Sequence, residues 1–506
     1  MSFSIEHLSP ILLRVTGEVD LFEWRDRLKM KVPGHEYTPR FKRGQWDGYW
    51  RPGKWCRKIK GQQKFWEMEI SRGMLHRLAP KLPPPLLSME ELQLVAGMSI
   101  VSDLRDYQKR AFLQVLLHKW GRVALATNAG KGAVIALLCR ILAAQNKRVL
   151  ILCDELAVME ALEGELLIWA EALPGKVEAG VKAPPPDMIV LAMVPSLARH
   201  LGALDRARKA LRKGIEEEKD PHEIDELKEK LISAQAHSQI WKEWCGSFSG
   251  LLLDEADKAT AATWKRILSA CINSEIRAGF SGTFPEDAYG DLLLDDLMGP
   301  ILITAKNKEM IERGISAKPL VLLRRFDCSD CLDSQPRGFR RWKGAQKRAW
   351  IYDAAITGNH ARHQFIASLI REDVPTCVIV NRIQHGEWME AAIKGSVFLD
   401  GSASKKLRDE VLSSFAHGDF RILVTTKILD RGTNRLGHAV DLIFASGEGS
   451  RRQSLQRIGR GLRRDKEKEF LILTDIIDTG HKYLHTAGKK RIALYHAEGF
   501  DVEVME

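Results

Sequence analysis

An unbroken apolar triplet, Leu251-Leu252-Leu253, is bounded by Gly250 in front and by Asp254-Glu255-Ala256-Asp257-Lys258 behind. A run that is apolar on both faces suits a strand buried inside a parallel sheet, not one with a wet side. Such a strand needs helices over both faces, and its carboxyl end is where an open α/β sheet binds its ligands. Asp254 and Glu255 emerge at that end. One carboxylate there can hold a divalent cation, and a second can orient or deprotonate a water. Acids also end strands with no further role, so the neighbouring segments decide.

Those neighbours repeat the pattern. Arg122–Thr127, Arg148–Cys153, Asp187–Ala192 and Arg277–Thr283 read as further buried strands, separated by helix-length segments. A second α/β unit begins near Val321, with strands at Thr376–Val380, Phe420–Thr426, Asp441–Ala445 and Phe470–Thr474. Strands alternating with helices at this spacing predict βαβ units. At 506 residues the chain is too long for one core, so about three domains are expected. The boundaries fall at 1–98, 99–320, 321–480 and a C-terminal tail at 481–506. Between 199 and 245 a charged helical hairpin is inserted. Asp220, Pro221 and Glu223 supply the N-cap, N1 and N3 positions of its second helix, and Ile224, Leu227, Leu231 and Trp241 its seam.

The strand at Arg122 runs into Thr127-Asn128-Ala129-Gly130-Lys131-Gly132 and then into a helix. Strand, glycine turn with a lysine, then helix is the geometry of a phosphate cradle: backbone N–H groups and the helix N-terminus face the anion, and Lys131 adds a point charge. The strict P-loop pattern fails twice, at Leu125 and at Gly132, where a Ser or Thr would bind the metal. Downstream, Ser450–Arg464 is rich in arginine and contains no acid. Arg460 and Arg463, three apart, share a helix face and suit the γ-oxygens of a triphosphate.

The front segment has another character. Lys29 to Lys60 holds ten Lys/Arg against Glu36 and Asp47, interleaved with Tyr37, Phe41, Trp46, Tyr49, Trp50 and Trp55. Basic and aromatic residues among turn glycines suit a small β-rich module that grips phosphates. Lys81-Leu-Pro-Pro-Pro85 reads as a stiff linker. The net charge of +11 agrees with a polyanionic partner. Eight scattered cysteines predict reduced thiols in a cytosolic protein, and the lone Cys328-x-x-Cys331 is not a zinc site. No apolar run reaches about 18 residues, so a membrane role is not expected.

Lys131, Asp254-Glu255-Ala256-Asp257, Ser281-Gly282-Thr283 and Gln456-Arg-Ile-Gly-Arg460-Gly-Leu-Arg463 fall in the order of the superfamily 2 helicase motifs, which the chain resembles over roughly 99–478. The segment Tyr37–Gly48 is similar to the N-terminal DNA-binding domain of UvsW-type phage helicases, and Ile311–Pro319 to the entry into their second core domain. The resemblance implies two RecA-like parallel-sheet domains in tandem, a small N-terminal α+β DNA-binding domain, and ATP hydrolysis with Mg²⁺. It puts Lys131 on the β/γ-phosphates within a cradle running from Thr127 through Asn128, Ala129 and Gly130 to Gly132. Asp254 would hold the Mg²⁺, and Glu255 would activate the water. Gln456, Arg460 and Arg463 would complete the site from the second domain. Arg105 and Gln108 match the adenine-side motif, while Asp257, Ser281, Thr283 and Gly432 match positions that couple nucleotide to movement. Arg40, Lys42, Arg43, Trp46, Trp50 and Ser196 would contact DNA. Asn434 and Gly132 depart from the pattern. Restoring a hydroxyl at 132 should tighten Mg²⁺-dependent binding unless Thr127 already fills that place. The expected activity is an ATP-dependent DNA helicase or translocase acting on branched or duplex DNA in replication, recombination or repair, located in the cytoplasm of a bacterial or phage-infected cell. An RNA helicase, signalled by the literal D-E-A-D, and a nonhydrolysing DNA-binding or annealing protein remain the alternatives.

Overall fold

The computed structural model describes residues 3–17, 21–33, 35–43, 45–47, 49–53, 55–58, 66–80, 87–217, 220–285, 287–333, 335–342, 344–426, 439–447, 458 and 470–505. The chain divides into two compact units, 1–125 with 130–304 and 126–129 with 305–506.

The first unit begins with an antiparallel sheet of β1 (Phe3–Ser9), β2 (Leu12–Gly17), β3 (Trp55–Lys58) and β4 (Trp66–Ser71), ordered β1-β2-β4-β3 and flanked by α1 (Leu21–Arg27). Leu13, Val15, Leu21, Met68, Ile70 and Met74 form its core, and Trp24, Trp50 and Trp66 pack against it. Helix α2 (Asp106–His118) buries Phe112, Val115 and Leu116, as its periodicity requires. A seven-stranded sheet follows. It comprises β5 (Trp120–Leu125), β6 (Val149–Cys153), β7 (Gly175–Val177), β8 (Ile189–Met193), β9 (Gly250–Asp254), β10 (Ile276–Ser281) and β11 (Ile301–Ala305), ordered β11-β5-β10-β9-β6-β8-β7. Every residue of β6, β9 and β10 is buried, which is why β6 and the leucines of β9 read as continuous apolar runs. Helices α3 (Lys131–Ala144) and α4 (Leu156–Glu165) connect early strands, and α5 (Val194–Leu201) follows β8; α6 (Ala203–Glu216) and α7 (Pro221–Gly246) carry most of the residues expected as a hairpin at 199–245. Asp220 caps α7 by accepting the His222 N–H at 2.8 Å, with Pro221 at the first helical position. Trp241 is fully buried in the sheet's core cluster, stacked on His200, while Ile224, Leu227 and Leu231 are half-buried.

Helices α8 (Ala262–Ala270) and α9 (Ala288–Met298) complete this unit. Leu292 of α9 belongs to the core of the front sheet, so the front module and the first seven-stranded sheet share packed interior. Polar contacts reinforce it. Ser71 donates to Asp296 at 2.7 Å, and Arg77 pairs with Asp291 at 2.9 Å and with Asp295. Arg122, buried on β5, pairs with the same two aspartates. Burial alone would raise the Asp295 carboxyl, but His76, Arg122 and Arg77 hold it below the usual carboxylate range.

The second unit holds another seven-stranded parallel sheet. Its strands are β12 (Lys318–Phe326), β13 (Thr376–Ile379), β14 (Ser396–Leu399), β15 (Ile422–Thr425), β16 (Asp441–Phe444), β17 (Phe470–Asp478) and β18 (Asp501–Met505), ordered β14-β15-β13-β16-β17-β12-β18. The two tandem parallel sheets and the antiparallel front sheet are the architecture expected from sequence. One expectation is corrected: 481–506 is not a tail, because α12 (Lys482–Ala497) packs on β17 and β18 pairs with β12. Two buried ion pairs fasten helices to β17. Arg362, on α10 (His360–Ser368), bonds both oxygens of Asp478 at 2.7 and 3.1 Å, and Arg491 of α12 holds Asp475 at 2.8 Å.

Between α10 and α11 (Ile383–Ala392) lie His363 and His385, ring centroids 5.2 Å apart, beside His360, Trp388 and the Arg362 cation. Burial, with Arg362 and the neighbouring imidazoles, drives His363 down to about 4 and His385 well below its ordinary value. Both are therefore neutral in the folded chain and protonate more readily when it unfolds. Their contribution is complete above about pH 6.5 and lost as pH falls toward 4, at a slope of at most about 1.4 kcal/mol per pH unit for each group. Thermal melts from pH 8 to pH 5 should show a falling midpoint, and His385→Leu should flatten the fall. An unchanged slope in that variant would remove His385 from the account.

Candidate active site

Asp254 is the last residue of β9, carried to the sheet's carboxyl edge by three buried leucines. Its own carboxylate is buried, and burial together with the adjacent Glu255 charge pushes it up to about 7, against the pull of Lys131. A buried carboxylate with this deficit of positive charge suits a divalent cation, so the residues present fit Mg²⁺. Glu255 adopts φ 51° and ψ 44°, left-handed backbone that a glutamate rarely takes, at a cost of about 1–3 kcal/mol. The strain turns the chain from β9 into the short helical turn Ala256–Thr260.

The same turn presents Asp257, which is buried and accepts the Ser281 hydroxyl at 3.0 Å; Ser281 Oγ in turn accepts the Thr283 N–H at 3.2 Å. The Thr283 hydroxyl is itself buried and has no hydrogen-bond partner among the described residues. Three residues matched to coupling positions are thus joined across β9 and β10. Lys258 pairs with Asp154 and, at 3.8 Å, with Glu155, both at the end of β6. Sequence reading passed over Asp154 and Glu155, although Leu-Cys-Asp-Glu repeats the strand-then-two-acids pattern of β9.

The phosphate turn has the shape that its glycines allow. Asn128 and Gly130 both have positive φ, 75° and 71°, and Ala129 between them is buried. Gly130 caps α3, and a β-carbon there would lie 2.3 Å from Gln108 Nε2. That amide donates to the Gly130 carbonyl at 3.1 Å while Gln108 Oε1 accepts the Arg105 N–H at 2.9 Å. Gln108 therefore ties the start of α2 to the turn. Thr127 is half-buried, and Lys131 Nζ lies 3.5 Å from the Leu125 carbonyl.

Gly132 yields a finding its sequence context did not announce. A β-carbon at 132 would come within 2.7 Å of Glu165 Cγ and 3.1 Å of its Cδ. The Glu165 side chain, its carboxyl raised by burial, occupies the space a serine or threonine needs.

Other expected site residues separate. Arg40, Lys42 and Arg43 are exposed, and among the described residues none of them makes an ion pair. Lys29 and Arg51, by contrast, are held by Asp26 and Asp47, and Arg57 by Glu67. Trp46 donates its indole N–H to the Tyr49 carbonyl at 3.0 Å, and Trp50 packs on the front core. Ser196 is buried in the first turn of α5 and presents little surface to a nucleic acid. Gly432, Gln456, Arg460 and Arg463 lie outside the described residues, as does the expected linker at 81–85.

The paired seven-stranded sheets with a phosphate turn and an acidic strand end define a RecA-like nucleotide hydrolase. The family described as type III restriction enzyme, res subunit, matches residues 102–286, and the helicase conserved C-terminal domain matches 362–465. The ATP-dependent DNA helicase uvsW of Enterobacteria phage T4 is 22% identical over 97% of this chain and 96% of its own. The general transcription and DNA repair factor IIH helicase/translocase subunit XPB/SSL2 of Saccharomyces cerevisiae is 28% identical over 50% of this chain and 30% of its own. A fragment of an HsdR subunit of a type I restriction enzyme from Vibrio vulnificus shares the fold, with TM-score 0.54, 18% identity and coverage of 83% and 72% of the two chains. The chain belongs to the superfamily 2 helicases, is similar to UvsW, and is an ATP-hydrolysing enzyme.

Glu255→Gln keeps size and hydrogen bonding but removes the carboxylate expected to act as the base. Hydrolysis in an ATPase assay should fall about 10²–10⁴-fold with nucleotide binding retained; turnover near the parent rate would exclude Glu255 as the base. Gly132→Thr alone should not tighten Mg²⁺-dependent binding of a fluorescent ADP, because the threonine must displace the Glu165 side chain from the place it occupies. Combined with Glu165→Ala, the same threonine should bind the metal complex more tightly than the parent. Equal affinities in the single and double variants would show that the contact is irrelevant.

Proposed function

We propose that the chain is an ATP-dependent DNA helicase or translocase acting on branched or duplex DNA in replication, recombination or repair, using Mg²⁺. The observation that carries the chemical half is the buried Asp254 beside a strained Glu255, under the field of Lys131. In this reading Lys131 and the backbone of 128–132 hold the phosphates, Asp254 holds the cation, and Glu255 orients and deprotonates the water. The cation, when bound, neutralises phosphate charge. Gln108 and Arg105 orient the turn toward the base of the nucleotide. Asp257, Ser281 and Thr283 form one hydrogen-bonded unit through which a change at the phosphates reaches β10. Gln456, Arg460, Arg463 and Gly432 keep the roles that family resemblance gives them.

The DNA half rests on the front module. Several of its basic residues are fastened to acids, whereas Arg40, Lys42 and Arg43 are exposed, which suits phosphate contact rather than base reading. The tryptophans serve structure as well: Trp46 is tied to the 49–50 turn and Trp50 to the core. The relatives' printed activities on DNA agree with this, and the RNA alternative gains no comparable support from the module.

The full chain should bind duplex DNA with affinity falling as log K against log salt at a slope near −3 to −4, from roughly 3–5 phosphate contacts at about 0.9 each. Replacing Arg40, Lys42 and Arg43 together by alanine should flatten that slope by about 2.7. An unaltered slope would place the contact surface elsewhere.

A further inference from the structure

Six of the twelve residues from Arg337 to Arg348 are Lys or Arg, and none is Asp or Glu. That density exceeds the front module's, and Phe339 and Trp342 are interleaved with the cations, with Trp350 just beyond. The stretch belongs to the second compact unit and falls between the regions matched to families, 102–286 and 362–465. The fold gathers these cations on one support. Gly338 and Gly344, at φ 80° and 60°, start a short helical turn, Phe339–Arg341, and a helix, Gly344–Tyr352. Phe339 is buried between them, its ring centroid 5.7 Å from that of Trp342 and 4.6 Å from that of Trp350. Lys347 Nζ sits 4.8 Å from the centre of the same ring. Phe339 and Ile351 share a core with Ile356 and Leu484, which fixes the support to the body of the unit.

Arg337, Arg341 and Arg348 are exposed, and among the described residues none of them makes an ion pair. Of the flanking acids, Asp353 pairs with Arg382 at 2.5 Å and Asp327 accepts the Ser329 N–H at 3.0 Å. The uncompensated charge is felt nearby, since burial together with Lys347 lowers the His481 imidazole. Like charges held side by side are unfavourable until a polyanion neutralises them. The chemistry narrows the partner further. Among the described residues no large apolar side chain between 302 and 382 is exposed, whereas a membrane-lying surface or the centre of a protein interface would need several. Arginine outnumbers lysine four to two here, and its planar fork matches the paired oxygens of a phosphate. We propose that Arg337, Arg341 and Arg348 form a second phosphate-contacting surface, which holds the backbone of duplex DNA. Phosphate contacts position a protein without reading bases, which suits movement along any sequence. Each compact unit then carries a grip of its own. This inference rests on the reading that the chain acts on DNA.

The test titrates the full chain with a fluorescent DNA duplex over a salt series. The parent is compared with Arg337→Ala, Arg341→Ala and Arg348→Ala combined, and with that set joined to the alanine replacements at Arg40, Lys42 and Arg43. The slope expected of the parent, near −3 to −4, exceeds the share of about 2.7 assigned to Arg40, Lys42 and Arg43, and the second surface accounts for the remainder, about one phosphate contact. The alanine set should flatten the slope by about 0.9 and weaken binding about tenfold near about 50 mM salt. Joined to the front replacements, it should leave almost no slope. Thermal melting checks folding, and Arg341→Glu alone should act in the same direction. Unchanged affinity and slope in the alanine set, or in Arg341→Glu where that set melts early, overturns the proposal. So does loss of binding to anionic phospholipid vesicles with duplex affinity intact. A flat salt response in the parent would instead defeat the DNA-binding reading, and this inference with it.

Discussion

Asp295 is the charge on which the first unit turns. It lies inside α9, almost without solvent, and is reached from one side by Arg122 of β5 and from the other by Arg77 and His76 of the front module. Taking these ions out of water is expensive, and only mutual attraction with good hydrogen bonding offsets that cost. Once assembled, removal of one partner leaves an uncompensated buried charge, worth about 3–5 kcal/mol. The consequence is architectural. Strand β5 ends in the phosphate turn, so the module proposed to hold DNA and the strand that delivers Lys131 share one anchored body.

At the opposite end of the sheet the electrostatics are left unbalanced. Asp254 has Lys131 and the Glu255 N–H to set against burial and the Glu255 charge, while Lys258 is committed to Asp154 and Glu155. An interior that leaves a carboxylate so poorly compensated, and holds its neighbour in left-handed backbone, stores free energy that a bound cation and phosphate can release. The contrast with Asp295 is instructive. The same residue type, buried in both places, is surrounded by cations at 295 and left with few of them at 254.

Gly132 shows how a motif departure changes meaning in three dimensions. Read linearly, it is a missing hydroxyl. In the fold it is the clearance that lets the Glu165 side chain lie across the first turn of α3. The two residues are 33 positions apart, and nothing local in either segment pairs them.

Much of the core was legible in the chain because parallel strands buried on both faces must be written as apolar runs: β6, β9, β10, β13 and β16 lie within about two residues of where those runs predict. Asp220-Pro221 likewise marked a helix start by local hydrogen-bonding chemistry alone. The edge strands were not legible. Ser396–Leu399 is only partly buried, and Asp501–Met505 alternates acid with apolar residues, so neither carries the double-sided signature and the latter was taken for tail. Sequence also supplied the identities of the acidic, basic and glycine residues of the site, since their chemistry is intrinsic to residue type. Tertiary structure alone decided how they are paired and buried. It tied Lys29, Arg51 and Arg57 to carboxylates while leaving Arg40, Lys42 and Arg43 open, buried Ser196, and joined Asp257 to Ser281. Pairing and desolvation depend on neighbours distant in the chain, and no local pattern encodes them.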